Sequence, residues 1–295
     1  MTLTLQAHAK INLTLEARAK RADGYHEIST ILQTISLADN LTFEPGKILD
    51  FRCDVPGLQS PDNLVLKAAR LLQQTTGSNK GAIISLTKNI PVAAGLGSGA
   101  TDAAATLVGL NRLWELNISP KKLTDLAAKL GSDVAFFLYG GTALAKGRGE
   151  QITPLPPISQ LWLVLLKPPV EPVPNKTAQL YSQLNPSHFT SGQLTQKLVA
   201  HLNHGGKVED SFIFNVFEQV AFDFFPKLTE YRSILLKAGA RSVHLAGSGP
   251  TLFALASDKA HGEALLKRLE NEGQKAYLVY TVNTAPSAAR GDRQC

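Results

Sequence analysis

The chain has 295 residues, of which 44% are hydrophobic and 18% charged, a balance that excludes a disordered or fibrous chain and predicts a globular protein able to bury a large core. Its 30 basic against 24 acidic residues give a formal charge of +6, which suits an anionic ligand; the basic residues are scattered and not interleaved with aromatics, so no nucleic-acid surface is indicated. The two cysteines, Cys53 and Cys295, are far apart and lack partners at ligand spacing, which excludes a disulfide framework and a zinc site and fits a reducing cytoplasm.

The N-terminus alternates. Leu3, Leu5 and Ala7, then Ile11, Leu13 and Leu15, fall at period two and predict strands. This opening lacks the apolar core of a signal peptide, and no later stretch has the length of a membrane span, so the expected location is cytoplasmic. "LTFEP" and "LDFRCDV" predict short strands, and "SPDNLVLKAARLLQQTTG" a helix started by Asp62 or Asn63 and stopped by Gly77. "GAIISLTKNI" predicts a strand, followed by a glycine-rich stretch and an alanine-rich helix. "SPKKLTDLAAKLG" then carries Ser119 as N-cap, Pro120 in the first turn and Gly131 as stop.

Beyond it, "AFFLYGGTALAKGRGEQITPL" predicts a pair of strands and "QLWLVLLKPPV" a buried strand ended by Pro168 and Pro169. From Pro172 to His188 the composition is polar and proline-rich, the mark of a boundary region. Helices follow around "GQLTQKLVAHLNHG" and "NVFEQVAFDFFPKLTEYRSILLKAG". "SVHLAGSGPTLFALAS" predicts a strand, a tight turn over Gly247–Pro250 and another strand; "HGEALLKRLENEG" predicts a last helix and "KAYLVYTV" a last strand. The tail from residue 285 has no apolar periodicity and is expected to be disordered.

The stretch "IPVAAGLGSGATDAAATL" places Gly95, Gly97 and Gly99 directly before the alanine-rich helix. Free amides at a helix N-terminus and bare backbone form a general phosphate site, although a glycine turn that merely packs a helix closely uses the same residues. A Walker P-loop is excluded because no G-x-x-x-x-G-K-[ST] occurs. Gly95, Gly97 and Ala100 satisfy the dinucleotide pattern, but Lys88, Asn89, Ile90 and Pro91 separate them from the preceding strand, and Glu115 falls inside the helix where a second strand tip is needed.

"PVAAGLGSGATDAAA" resembles the P-x-x-x-G-L-G-S-S-A-A motif of the GHMP kinases. "AKINLTL" resembles that superfamily's first motif and "LAGSGPTLFAL" its C-terminal glycine turn, in the expected order across almost the whole chain. Within the superfamily, "AKINLTLEARAKRADGYHEISTILQTISLAD" and "LGSDVAFFLYGGTALAKGRGE" look like the 4-diphosphocytidyl-2-C-methyl-D-erythritol kinase family. Ser98 stands where that family commonly has glycine, Ala100 and Thr101 where it has serines, and Ala135 where it has proline. "KPPVEPVPNKTAQLY" is a little longer than its K-P-x-x-x-V-S-T-A segment.

The resemblance implies an α+β kinase of two lobes. Residues 1–155 form an ATP-binding lobe resembling a ribosomal-protein fold, and 156–284 a C-terminal α/β-sandwich lobe. It implies ATP as co-substrate with Mg²⁺, a small cytidyl acceptor, and a monomer or homodimer. A homoserine- or mevalonate-type kinase is the alternative enzyme, and a basic RNA-binding protein the alternative of another class. It places ATP against Pro91, Val92, Ala93, Ala94, Gly95, Leu96, Gly97, Ser98, Gly99, Ala100 and Thr101, with Asn63 and Lys88 near the adenine. Either Ser98 or Thr101 is left to help hold the metal.

Asp133 is implied as the base that takes the acceptor hydroxyl proton, and Lys10 as its partner on the transferring phosphoryl group. Asn12, Tyr25 and His26 are implied at the cytosine ring. Read without the resemblance, Asp133 and Asn63 are ordinary helix N-caps, Lys10 is a solvated lysine on a strand, and Tyr25 and His26 are turn residues.

Overall fold

A computed structural model describes residues 2–284; the tail expected to be disordered lies outside them. The predicted N-terminal strands form one long hairpin, β1 (Leu3–Lys20) and β2 (His26–Gly46), closed by the turn that carries Gly24 and Tyr25. β3 (Leu49–Cys53), α1 (Leu64–Thr76) and β4 (Gly81–Thr87) follow, with β3 and β4 added beyond β2. Asn63 caps α1 by accepting from the Val65 amide at 2.9 Å, and Gly77 ends it in the left-handed conformation.

The alanine-rich helix α2 (Ser98–Leu113) lies on this sheet, buried from Thr101 to Leu107. Small side chains let it approach β1 and β2 closely, and Gly109 packs on the Phe43 ring. α3 (Pro120–Leu130) keeps the predicted Ser119 cap. The next segment departs from expectation: Val134–Tyr139 is a short helix, α4, and only Thr142–Gly147 (β5) and Gln151–Pro154 (β6) are strands. Val134, Ala135, Phe136 and Phe137 are all buried. A continuous apolar run covered on every side carries no period that separates helix from strand.

β7 (Trp162–Leu166) is the predicted buried strand. It lies inside a second, antiparallel sheet of order β11-β7-β10-β9. The region read as a boundary instead holds α5 (Lys176–Gln183), an eight-residue helix. α6 (Gln193–Asn203) follows, then the two-residue strand β8 (Phe214–Asn215), and α7 (Glu218–Phe224) and α8 (Lys227–Lys237) separated at Pro226. β9 (His244–Leu245), a glycine turn, β10 (Leu252–Ala256), α9 (Lys259–Asn271) and β11 (Ala276–Tyr280) complete the second sheet.

β8 pairs in parallel with β1 at Thr14 and Leu15, so the C-terminal half contributes a strand to the first sheet. α6 in turn lies against β1 at Thr14 and Glu16. The odd-numbered residues of β1 from Leu3 to Ala17 are apolar and buried as the alternation requires, but Lys10, Asn12, Thr14 and Glu16 on the even face are buried too. Register shifts between β1 and β2 at His8/Lys10 and Asn12/Thr14 locally reorient this polar row. Its members satisfy one another and the covering helix. Asn12 donates to Thr30 Oγ1 at 2.8 Å, Thr195 Oγ1 and Thr14 Oγ1 are 2.9 Å apart, and Glu16 accepts from the Thr195 amide at 2.6 Å. Among the described residues no helix is long and apolar enough to cross a membrane.

Candidate active site

A cleft of about 910 Å³ brings together the middle of β1, the turn before β2, the glycine-rich loop with the start of α2, Asp133, α5 and the turn before β10. Lys10 is buried; its Nζ donates to Asn12 Oδ1 at 2.8 Å and pairs with Asp133 Oδ2 at 3.4 Å. The solvated-lysine reading is therefore overturned, because the glycine-rich loop at Gly97 and the turn at Gly247 close over the Lys10 side chain. Asp133 stands at the N-cap position of α4, yet its side chain makes no capping bond. Its carboxylate is 40% exposed, which leaves it open to the cleft as well as to Lys10.

The glycine loop is built for close contact. Gly95 and Gly97 have φ of +83° and +77°. A β-carbon on Gly95 would lie 2.1 Å from the Ala246 carbonyl oxygen, and one on Gly97 would lie 2.5 Å from the Phe137 ring. The bareness of these two positions is thus explained by left-handed backbone and packing. Gly99 is different: it is exposed, and a β-carbon there meets only Leu64 at 3.5 Å. At the first turn of α2, Ser98, Gly99 and Ala100 line the cleft, and first-turn amides without helical acceptors have the chemistry that suits an anion.

Val92–Gly95 and Gly97–Ala100 line the cleft, whereas Pro91, Leu96 and Thr101 do not. Leu96 and Thr101 are buried below the loop, Leu96 offering its carbonyl to the Lys10 amide at 3.0 Å. Of the two candidate hydroxyls, Ser98 faces the cleft and Thr101 does not. Asn63 also lines the cleft, but its side chain is committed to the α1 cap and to the Leu58 carbonyl. Lys88 does not stand free beside a base. Its ammonium lies under the start of α2, bonded to Asp39, to Ser98 Oγ at 2.5 Å and to Asp102 Oδ2 at 2.8 Å.

That buried cluster sets one cation against two carboxylates. Burial works against the Lys88 charge, but Asp102 and Asp39 outweigh it and hold its pKa above the ordinary lysine value. Burial, with Asp39 adding like charge against the opposing pull of Lys88, pushes Asp102 up to about 7. Asp39 also accepts from the Asn89 and Ile90 amides at 2.6 and 2.8 Å, which fixes the chain leading into the glycine loop.

Tyr25 and His26 are neighbours with different surroundings. Tyr25 is 53% exposed, and the Arg148 guanidinium lies 4.8 Å from its ring centre. His26 is buried, stacked on Tyr181 at 4.8 Å with Phe189 edge-on at 5.7 Å. Burial first, and the Lys20 charge second, lower its pKa. Burial and the nearby Asp133 raise that of the Tyr181 phenol. Both Tyr25 and His26 line the same cleft as Asn12.

Several cleft residues were not predicted. Lys176, Thr177 and Tyr181 come from α5, which lies in the polar, proline-rich stretch expected to be a boundary; Thr177 Oγ1 is 2.8 Å from Ser248 Oγ in the turn before β10. Asn215 orients that turn by donating to the Leu245 and Gly247 carbonyls at 2.9 and 2.8 Å. A helical phase for α5 would have found Thr177 and Tyr181 four residues apart on one face. Among the described residues there is no group of three or more His, Cys, Asp or Glu able to hold a metal.

Comparison with known proteins gives the same assembly of parts. The GHMP kinases N terminal domain matches residues 63–141 and the GHMP kinases C terminal domain residues 199–275. A 4-diphosphocytidyl-2-C-methyl-D-erythritol kinase of Dehalococcoides mccartyi is 46% identical over 280 residues, covering 95% of this chain and 98% of its own. One of Pelotomaculum thermopropionicum is 41% identical over 287 residues, 96% and 99% of the two chains. The crystal structure of a 4-(cytidine 5'-diphospho)-2C-methyl-D-erythritol kinase superposes with a TM-score of 0.80 at 33% identity, covering 96% of this chain and all of the other. A homoserine kinase of Cytophaga hutchinsonii shares the fold, with a TM-score of 0.73 at 21% identity over 98% and 97% of the chains.

Proposed function

We propose, for a chain that belongs to the 4-diphosphocytidyl-2-C-methyl-D-erythritol kinase family of GHMP kinases, the transfer of the γ-phosphoryl group of ATP to the 2-hydroxyl of 4-diphosphocytidyl-2-C-methyl-D-erythritol. This is a step of the non-mevalonate route to isoprenoid precursors. The observation that carries the mechanism is the Lys10–Asp133 pair facing the first turn of α2 across one cleft. Phosphoryl transfer asks a protein mainly to position two reactants and balance phosphate charge. Here a helix N-terminus and a buried lysine supply the charge, and a carboxylate that makes no capping bond supplies the base.

In this reading the nucleotide phosphates lie on the amides of Ser98, Gly99 and Ala100, with Val92–Gly95 alongside. Asp133 takes the acceptor hydroxyl proton as its oxygen attacks the γ-phosphorus; the new P–O bond forms while the bond to the β-phosphate oxygen breaks and ADP leaves. Lys10 pairs with Asp133 in the resting site and faces the charge on the transferring group. Lys88, with Asp39 and Asp102, positions the start of α2. Tyr25, His26 and Asn12 form the acceptor end, where a flat face and ring-edge hydrogen bonding suit a cytosine and not the small chains of homoserine or mevalonate. The fold likeness to homoserine kinase bears on architecture alone, and an RNA-binding role leaves Asp133 beside a phosphate loop unexplained.

Magnesium fits as an ion carried by the nucleotide: with no acidic cage among the described residues, Ser98 is the hydroxyl that lines the cleft, and the ion would neutralise phosphate charge. Residues 1–155 act as the ATP-binding lobe and 156–284 as the lobe that closes the cleft, each containing one of the two matched domains. Asp133→Asn tests the base: kcat should fall by about 10²–10⁴-fold while ADP affinity holds; no capping bond is lost, but the melting temperature should drop because the buried Lys10 loses its ion-pair partner. A folded variant within about threefold of wild-type kcat would remove Asp133 from this role.

A further inference from the structure

Lys176 opens α5 and reaches across the cleft. Its ammonium donates to the carbonyl oxygen of Ala93 in the glycine loop, at 2.9 Å, and to that of Gly249 in the turn before β10. Both acceptors are neutral, and no carboxylate among the described residues forms an ion pair with it. The charged groups acting on it are the cations Lys10, on β1, and Lys167, after β7. Asp133 is already engaged with Lys10, and neither the loop Ala93–Gly97 nor the turn Ala246–Gly249 carries a titratable side chain.

A half-buried cation that meets other cations and only neutral acceptors is electrostatically incomplete. Burial first, then Lys10 and Lys167, bring its pKa down to about 8. The missing partner is an anion, and the cleft admits one directly beside this ammonium, because Lys10 and Lys176 both line it together with the first turn of α2. We infer that Lys176 is an anion-binding residue that forms, with Lys10, a two-cation subsite for a phosphoryl group. The inference rests on the kinase reading for its ligand class. Two sources offer that chemistry, the γ-phosphoryl of the nucleotide and the diphosphate of the acceptor. A phosphoryl oxygen gives a charge-assisted bond in place of a neutral one, about twice as strong. It would also tie the glycine loop, α5 and the β10 turn to the bound substrate.

The test is calorimetric titration of AMPPNP, ADP and CDP into the wild-type protein, Lys176→Met and Lys176→Gln. Glutamine loses the charge but keeps a donor for a carbonyl, so it separates anion binding from bracing of the two loops. We expect Lys176→Gln to weaken at least one of these ligands by roughly 10–150-fold, the range for a hydrogen bond to a charged group. A loss for AMPPNP with ADP unchanged places the γ-phosphoryl at the subsite; a loss for CDP places the acceptor diphosphate there. If all three affinities stay within about twofold of wild type in a folded Lys176→Gln protein, the inference is overturned and Lys176 is a structural brace.

Should both variants fail to fold, the wild-type protein still decides. AMPPNP and CDP are then titrated at pH 9 in two buffers of different ionisation enthalpy. An anion at the subsite must raise the Lys176 pKa, so at least one of the two ligands should take up a proton on binding, and proton-neutral binding of both would refute the subsite. None of these readouts needs turnover. An acceptor assay that failed would therefore overturn the kinase reading without touching the anion subsite, and the reverse also holds.

Discussion

Gly95→Ala should destabilise the protein by about 2–5 kcal/mol, summed from two costs. Alanine in the left-handed region that Gly95 occupies, φ +83°, costs about 1–2 kcal/mol. The added β-carbon would lie 2.1 Å from the Ala246 carbonyl and 2.9 Å from the Gly249 amide nitrogen. These are backbone atoms that cannot rotate away, and forcing the two loops apart costs about 1–3 kcal/mol more. Gly99→Ala is the matched control: Gly99 is helical, its nearest neighbour would be Leu64 Cδ1 at 3.5 Å, and alanine there should be neutral or gain about 0.5–1 kcal/mol. Urea denaturation of both variants beside wild type gives the two numbers at comparable m-values. A loss below about 1 kcal/mol for Gly95→Ala would refute the packing of the glycine loop against the β10 turn and, with it, the explanation of why that position is bare.

Asp102→Asn should change the pH dependence of stability. The pKa of Asp102 is raised in the fold, so the unfolded chain releases this proton first, and stability is lost as pH climbs from about 4 towards the folded value of about 7. The variant should match wild type near pH 4 and exceed it at pH 8, because a neutral Lys88–Asp39 pair replaces a cluster with excess negative charge. A variant less stable than wild type at pH 8 contradicts this sign. Tyr25→Ala should raise KM for the cytidyl acceptor by roughly 5–150-fold, one stacking contact of about 1–3 kcal/mol, with KM for ATP unchanged. Equal losses for both substrates would return Tyr25 to the role of a turn residue. The same substitution at His26 is less informative, since that ring is buried against Tyr181 and Phe189 and its removal leaves a cavity.

The legible parts of the fold were those fixed by local chemistry. The Asn63 and Ser119 caps, the Gly77 stop and the odd-residue alternation of β1 all follow from neighbouring residues. What could not be read depends on distant chain. Lys10 is buried because the glycine-rich loop at Gly97 and the turn at Gly247, both distant in sequence, close over it, while α6 covers Thr14 and Glu16 on the same strand. The Lys88 cluster joins residues 49 and 14 positions apart, and no spacing in the sequence marks such a meeting. α5 escaped notice because it is short and buries only Leu180, too little for a helical period to stand out from its proline-rich approach. In the site, most of the motif residues meet in one cleft, but the use of Gly95 and Gly97 as packing positions is visible only with the atoms that surround them.

The central claim is the identity of the phosphoryl acceptor. Its most direct test is ADP release by the purified protein with ATP and each of 4-diphosphocytidyl-2-C-methyl-D-erythritol, homoserine and mevalonate, with the phosphorylated product located by phosphorus NMR. Turnover with the cytidyl compound, phosphate on its 2-hydroxyl and a kcat/KM at least about 10³-fold above the other two is the result this site predicts. Comparable turnover of homoserine or mevalonate, or phosphate on another hydroxyl of the cytidyl compound, would contradict it.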